Sequence, residues 1–275
     1  MKLKIYGCRG SIPCHSKGDG HFGGNTSCIR LSVGDYSVVL DAGSGLVNCC
    51  RDVLDFGEKL AGPQDILLSH LHIDHIIGLC AFAPAFDKKE GIRVFTVSRG
   101  ETSLASQVFG IFKPPYWPVS LEEATNAQCI PIQVGIPFAA GPLTITPFCA
   151  SHPDKTTSFH ITNGEKSLVY LLDNEVATMD EATYQNLVDY CKGADMVVFD
   201  SAYSPDDYPE YKGWGHSTVL DGIKLRRDSN CKRMLFSHFA HRYTDEEILG
   251  WKRYFENDFD SNCYIFACDE MEVAL

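Results

Sequence analysis

Residues 69 to 75 read Ser-His-Leu-His-Ile-Asp-His, with three histidines and an aspartate in the six positions from 70 to 75. The cluster follows a short apolar run, 65–69, suited to a buried strand. His70 and His72 are two apart. At an extended strand end, alternate side chains share a side, so both imidazoles can face one ion. Asp74 and His75 come where the chain must turn, because Ile76-Ile-Gly-Leu resumes an apolar pattern, so they can face a second ion nearby. Imidazole with carboxylate suits Zn²⁺, with Mn²⁺ or Fe as alternatives. One such cluster does not complete two catalytic metal sites. The fold must therefore bring further ligands to it from the ends of other strands.

Three residues meet that requirement. His152 follows an apolar run at 143–149, Asp173 one at 168–172 and His238 one at 235–237. Open α/β sheets place their sites at such strand ends. Taken singly, each reads equally well as a capping aspartate or a satisfied buried histidine. Their joint order favours ligation.

The 275 residues are 44% hydrophobic and 22% charged, an ordinary globular composition, and one domain spanning 1–275 is expected. No apolar run approaches the roughly 20 residues that span a bilayer. The first residues lack a signal-peptide core and read as a strand, so a cytoplasmic protein without a membrane partner is expected. The twelve cysteines are scattered without a C-x-x-C pair and are expected to be reduced thiols. Net charge is −12. That balance disfavours long nucleic acid, whose binding surfaces are basic, but leaves room for a small anion held by metals.

Strands are expected at 3–7, 28–33, 37–41, 65–69, 92–97, 130–134, 143–149, 158–162, 167–172, 196–199, 233–237 and 264–266. Helices are expected within 46–59, near 101–109, and at 180–191, 218–227 and 245–255. Gly34-Asp35 marks a hairpin turn. The three prolines of 113–118 cannot continue a helix and read as a loop able to fold over a site. Two packed sheets with helices outside follow from this order.

Taken together, these motifs resemble the metallo-β-lactamase superfamily along nearly all of the chain. His70–His75 looks like that family's second motif. Asp41 in Leu-Asp-Ala-Gly looks like its first, His152 its third, Asp173 its fourth and His238 its fifth. The resemblance implies an α+β fold, a four-layer αββα sandwich. It implies two divalent ions, one on His70, His72 and His152 and the other on Asp74, His75 and His238. Asp173 would bridge them, and Asp41 would orient a ligand histidine. Trp214-Gly-His-Ser-Thr218, ahead of Leu-Phe-Ser-His-Phe-Ala-His-Arg-Tyr243, resembles the phosphodiesterase branch, which includes ribonuclease Z and cyclic-nucleotide phosphodiesterases. There the His216 position meets the scissile phosphate and protonates the leaving oxygen. Gly7-Cys-Arg-Gly-Ser-Ile-Pro13 and Gly24-Asn-Thr-Ser27 also resemble this branch. Arg9 can steer phosphate, with an ordinary surface arginine as the plainer reading.

Two departures stand out. The fourth motif reads Asp173-Asn-Glu175, where relatives often have threonine and glycine. His152 and Asp173 are 21 residues apart, too close for the exosite arm of ribonuclease Z-type nucleases. The expected function is hydrolysis of a small phosphodiester, such as a cyclic nucleotide, by a metal-bridging hydroxide, with Asp74 and His216 catalytic. The alternatives are a ribonuclease Z-like tRNA nuclease, a thioester or lactone hydrolase, and a non-catalytic ligand-binding protein. A second copy in a homodimer is an optional partner.

Overall fold

The computed structural model describes residues 1–15, 20–55, 62–255, 260 and 262–275. The chain begins with β1 (Lys2–Gly7), β2 (Arg9–Gly10), β3 (Cys28–Val33), β4 (Tyr36–Leu40), α1 (Leu46–Asp55), β5 (Gln64–Leu67) and α2 (Ile73–Ile76). Next come β6 (Ile92–Thr96), α3 (Leu104–Phe109), α4 (Leu121–Ala124), β7 (Ala127–Pro131), β8 (Phe138–Ala140) and β9 (Leu143–Cys149). The remainder is β10 (Thr157–Thr162), β11 (Ser167–Leu171), α5 (Glu181–Cys191), β12 (Met196–Asp200), α6 (Tyr208–Tyr211), α7 (Val219–Ser229), β13 (Met234–Ser237), β14 (Phe239–Ala240), α8 (Asp245–Gly250), β15 (Tyr264–Phe266) and β16 (Glu272–Ala274).

Two seven-stranded sheets result, in the orders β16-β1-β3-β4-β5-β6-β7 and β15-β13-β12-β11-β10-β9-β8. Period-two alternation assigns their faces. Leu3, Ile5, Ile29, Leu31, Val38, Leu40, Leu67 and Phe95 join the large core shared with the second sheet. Their neighbours Tyr6, Cys28, Val39, Ile66, Leu68 and Val94 face a separate cluster with Leu46, Cys49 and Val53 of α1. On the second sheet, Leu187 and Cys191 of α5 and Ile223 and Leu225 of α7 are buried in the main core. The expected αββα sandwich is therefore the observed one. β4 runs parallel to β5, and β11, β12 and β13 are mutually parallel, so their C-terminal ends share a rim.

Several expectations need correction. The helix expected at 245–255 is α8 followed by a 3₁₀ turn, Trp251–Phe255. The strand expected at 130–134 lies earlier, as β7, because its parallel pairing with β6 starts at Ile92↔Ala127. The helix near 101–109 starts only at Leu104, where Ser103 caps it through the Ser106 amide. The helix expected within 46–59 is described to Asp55, and its remainder lies outside the described residues. The proline-rich loop turns back on its own flanks: the Trp117 amide donates to Lys113 O and the Trp117 ring packs edge-on against Phe112, 6.4 Å away. Its anchor is the outer cluster. All twelve cysteines are unpaired, and no helix among the described residues is long and apolar enough to cross a membrane.

Candidate metal centre

Most of the candidate site residues follow a strand end, the exceptions being Asp74, His75 and His216. β4 ends at Leu40, and Asp41 takes a left-handed turn, φ 56°. β11 ends at Leu171, and Asp173 turns the same way, φ 50°. β13 ends at Ser237, and His238 follows with φ 67°. Three non-glycine residues in this region cost about 1–2 kcal/mol each, so the surroundings must hold them there. His70 and His72 lie beyond β5, not within it, because β5 ends at Leu67. Their rings still meet, with centroids 4.3 Å apart. Asp74 and His75 lie on the short helix α2.

The carboxylate of Asp173 is the hub. Its Oδ2 lies 3.4 Å from His70 Nε2 and 4.0 Å from His152 Nε2. Its Oδ1 lies 3.1 Å from His75 Nε2 and 3.4 Å from His238 Nε2. Asp74 Oδ2 stands 3.3 Å from His75 Nε2 and 3.2 Å from His238 Nε2. Among the described residues, ligand atoms gather within 4.8 Å in three groups: His70, His72, His152 and Asp173; Asp74, His75 and His238; and Asp173, Asp200, His216 and His238. All seven expected ligands are thus brought together. His72 is the exposed one, at 48%, and marks the side open to solvent.

The other ring nitrogens are held by the protein. His75 Nδ1 donates to Asp41 Oδ2 at 2.7 Å, and His152 Nδ1 donates to Gly215 O at 3.0 Å. His70 Nδ1 is 3.1 Å from Ser69 Oγ. Each of these bonds leaves Nε2 with its lone pair toward the centre, as in metal-ligating histidines. Buried His70 Nε2, His75 Nε2 and Asp173 Oδ1 make no hydrogen bond. Atoms left so cost free energy unless a cation meets them. The residues therefore fit a divalent ion of the nitrogen-and-oxygen-binding kind.

Electrostatics point the same way. Burial opposes charge on His75 and His238, but Asp173 outweighs it, joined by Asp74 at His75 and by Asp200 and then Asp74 at His238. His75 is held well above the ordinary histidine range and His238 is pushed up to about 10. Burial, then the neighbouring His75, keeps His70 well below that range. Burial would raise Asp74, yet His75 and His238 hold its carboxyl well below the carboxylate range. One side of the centre thus demands positive charge and the other offers neutral imidazole.

The walls of the site come from distant segments. Asp41 is fully buried and also accepts from the Ser69 amide, Ser69 Oγ and Tyr170 Oη, each at 2.8 Å. The Ser11 amide donates to Asp74 Oδ2 at 2.7 Å. A side chain at Gly10 would come within 2.9 Å of the His238 ring. Arg9 is neither a phosphate guide nor a surface residue. It is 1% exposed, pairs with Asp245 at 2.8 Å and donates to the carbonyls of Gly23 and Tyr243. It pins the opening loop to the segment after β14.

His216 stands beside the centre, its ring 5.1 Å from that of His238 and 5.3 Å from that of His152. Its Nδ1 donates to Asp200 Oδ2 at 2.8 Å. Burial opposes its charge, but Asp200 prevails and raises its pKa above the ordinary value. Sequence reasoning missed Asp200, although it ends the apolar run of β12 just as Asp41 and Asp173 follow theirs. Thr218 caps α7 with a capping box to Asp221, so His216 lies just before a helix start.

Known proteins share this fold. The chain is 27% identical over 244 residues to the probable metallo-hydrolase YhfI of Bacillus subtilis (strain 168), covering 88% of each chain. It is 22% identical over 299 residues to a ribonuclease Z of Bradyrhizobium sp. (strain ORS 278), covering 92% of this chain and 94% of the other. In fold it is similar to crystal structures of YhfI (TM-score 0.71, 20% identity, 99% of both chains) and of a diphosphatase from the PhnP family (TM-score 0.69, 17% identity, 99% and 96%). The model of the beta-lactamase superfamily domain matches residues 36–239, a span that takes in every ligand candidate from Asp41 to His238, and on that match the chain belongs to the metallo-β-lactamase superfamily.

Proposed function

We propose that this chain is a binuclear metal-dependent hydrolase that cleaves a small phosphodiester. The observation that carries the reading is the His216–Asp200 pair set against the centre. A thioester or lactone offers no anionic phosphoryl group to an imidazole whose pKa Asp200 raises. His70, His72 and His152 would hold one ion and Asp74, His75 and His238 the other, with Asp173 in reach of both. Two cations held there would acidify a water and draw charge from phosphoryl oxygens.

The chain's own residues do the rest. Asp74 keeps its charge beside His75 and His238 and orients the water. Asp200 holds His216 by Nδ1, so its other ring nitrogen is free to pass a proton to the leaving oxygen. Ribonuclease Z among the relatives favours a second reading, tRNA 3′-processing. Against it stand the −12 charge and the span from His152 to Asp173. That span is taken up by β10, β11 and a tight turn in which the Asn163 amide donates to Lys166 O.

The test uses protein loaded with Zn²⁺ or Mn²⁺ and a panel of cyclic nucleotides, linear dinucleotides, nitrophenyl phosphodiesters, pre-tRNA, a thioester and a lactone. The small phosphodiesters are expected to be cut fastest. His216→Ala should lose about 10²–10⁴-fold on alkoxide-leaving substrates and much less on the nitrophenyl ester, whose leaving group needs no proton. Cleavage of pre-tRNA with the small diesters untouched would reverse the assignment, and turnover of only the thioester or lactone would end it.

A further inference from the structure

The turn after β11 departs from the expected pattern at Asn174 and Glu175, and both side chains are buried, 0% and 2% exposed. Neither is among the grouped ligand residues. Burying a carboxylate is costly unless its lone pairs are met. At Glu175 they are met by three donors. Oε1 accepts from Tyr208 Oη at 2.6 Å and the Gly213 amide at 2.7 Å, and Oε2 accepts from the Gly215 amide at 2.9 Å. Tyr208 lies on α6, and the two glycines lie on the segment that leads into His216.

The same turn grips the segment on its far side. The Asn174 carbonyl accepts from Ser217 Oγ, and the Val176 amide donates to that hydroxyl at 3.0 Å. His216 is therefore bracketed, with Gly215 tied before it and Ser217 after it. The loop carrying His152 is bound to the turn as well. The Ser151 amide donates to Asn174 Oδ1 at 2.7 Å, and the Glu175 amide donates to Ser151 O at 2.8 Å. Gly215, at φ +92°, presents its carbonyl to His152 Nδ1, and a side chain there would come within 2.0 Å of that nitrogen.

We infer that Glu175 is a positioning residue: its carboxylate holds the Gly213–Gly215 segment, and through it sets His216 against Asp200 beside the centre. The catalytic half of this inference rests on the proposed role of His216 as the acid. All three partners of Glu175 are donors, so a carboxylate fits where an amide does not. Glu175→Gln keeps the shape but turns an NH₂ group toward at least one donor, with Gly215 the single partner of Oε2.

The experiment is amide hydrogen exchange of the 212–217 segment, followed in metal-loaded protein with turnover measured alongside. Glu175→Gln should speed exchange in that segment while the sheets keep their protection. It should lower kcat by about 10–100-fold, taking the loss of a metal ligand's outer partner as the scale, with little change in KM. In a His216→Ala background, with metal content matched to the parent so that the Gly215–His152 contact does not enter, the same substitution should cost little more, because the two act as one unit. Tyr208→Phe removes one donor and keeps the carboxylate, and should shift both readouts in the same direction by less. Unchanged exchange in both variants, or a full loss of kcat in the His216→Ala background, overturns the inference. If the parent cleaves no phosphodiester, the proposed function fails while the exchange measurement still decides whether Glu175 holds the segment.

Discussion

Asp41→Asn is the most informative perturbation of the centre's scaffold. The residue is 0% exposed and meets four donors: the Ser69 amide on Oδ1, and Ser69 Oγ, Tyr170 Oη and His75 Nδ1 on Oδ2. Asparagine tolerates the left-handed φ of 56°, so the backbone itself is not disturbed. Its amide offers one acceptor atom where the carboxylate offers two. With oxygen kept on the three-donor side, the NH₂ group faces the Ser69 N–H and leaves a buried donor unmet, at about 1–3 kcal/mol. The hydrogen bonds that remain lose their charge assistance. Relief from burying a charge offsets part of this, leaving a loss on the order of 3 kcal/mol. Urea unfolding of metal-free protein reads that loss as a lower midpoint at constant slope. With the bond that orients it weakened, His75 should also bind metal about 10–100-fold more weakly. A stability change below about 0.5 kcal/mol, the scale of a neutral surface substitution, together with unaltered metal affinity would refute the role given to Asp41.

Other consequences follow from the same geometry. Elemental analysis should find two ions per chain in the parent, with His152→Ala and His238→Ala each giving up one at limiting metal; two tightly held ions in either variant would contradict the ligand grouping. Asp269 is pushed up to about 6, first by burial and against hydrogen bonds from Asn25 and the Gly24 amide. Its folded pKa exceeds the ordinary 3.8, so its contribution is fully present below about pH 4. That contribution, about 3 kcal/mol at 1.36 kcal/mol per unit, is lost as pH rises through about 6. Asp269→Asn keeps an acceptor for those amides and should remove this part of the pH dependence. Identical dependence in parent and variant, by urea unfolding at pH 4 and pH 7.5, would count against it.

The sheets were legible where apolar runs are long enough to show a period. β3, β9, β12 and β13 stand close to where alternation or apolar runs place them. β2, β14 and β16, of two or three residues, have no period to read and exist only because partners hold them: Arg9↔Phe239 and Lys2↔Ala274 are pairings across most of the chain. Arg9 shows how this misleads. In the sequence it is a charge in a glycine-rich turn, which normally means surface. Its burial depends on Asp245, 236 positions away, and no local pattern reports that.

The centre divides along the same line. Its ligands sit at strand ends or just past them, so a titratable residue after an apolar run identifies most of them. The groups that orient the ligands carry no such mark. Tyr170 reaches Asp41 across 129 positions, Gly215 reaches His152 across 63, and Glu175 reaches Gly215 across 40. Asp200 is the instructive middle case. It ends an apolar run and could have been grouped with Asp41 and Asp173, yet a carboxylate at a strand end is also an ordinary cap. What distinguishes it is His216 at 2.8 Å, a contact made only once α6 and the glycines that follow it, Gly213 and Gly215, fold the chain back over β12. The metal-binding chemistry is thus written locally in residue types, while the geometry that aims it is written in contacts between distant turns. For that reason Asp173-Asn174-Glu175, whose last two residues looked like a defect in a familiar motif, reads in the structure as the joint between the His152 and His216 loops.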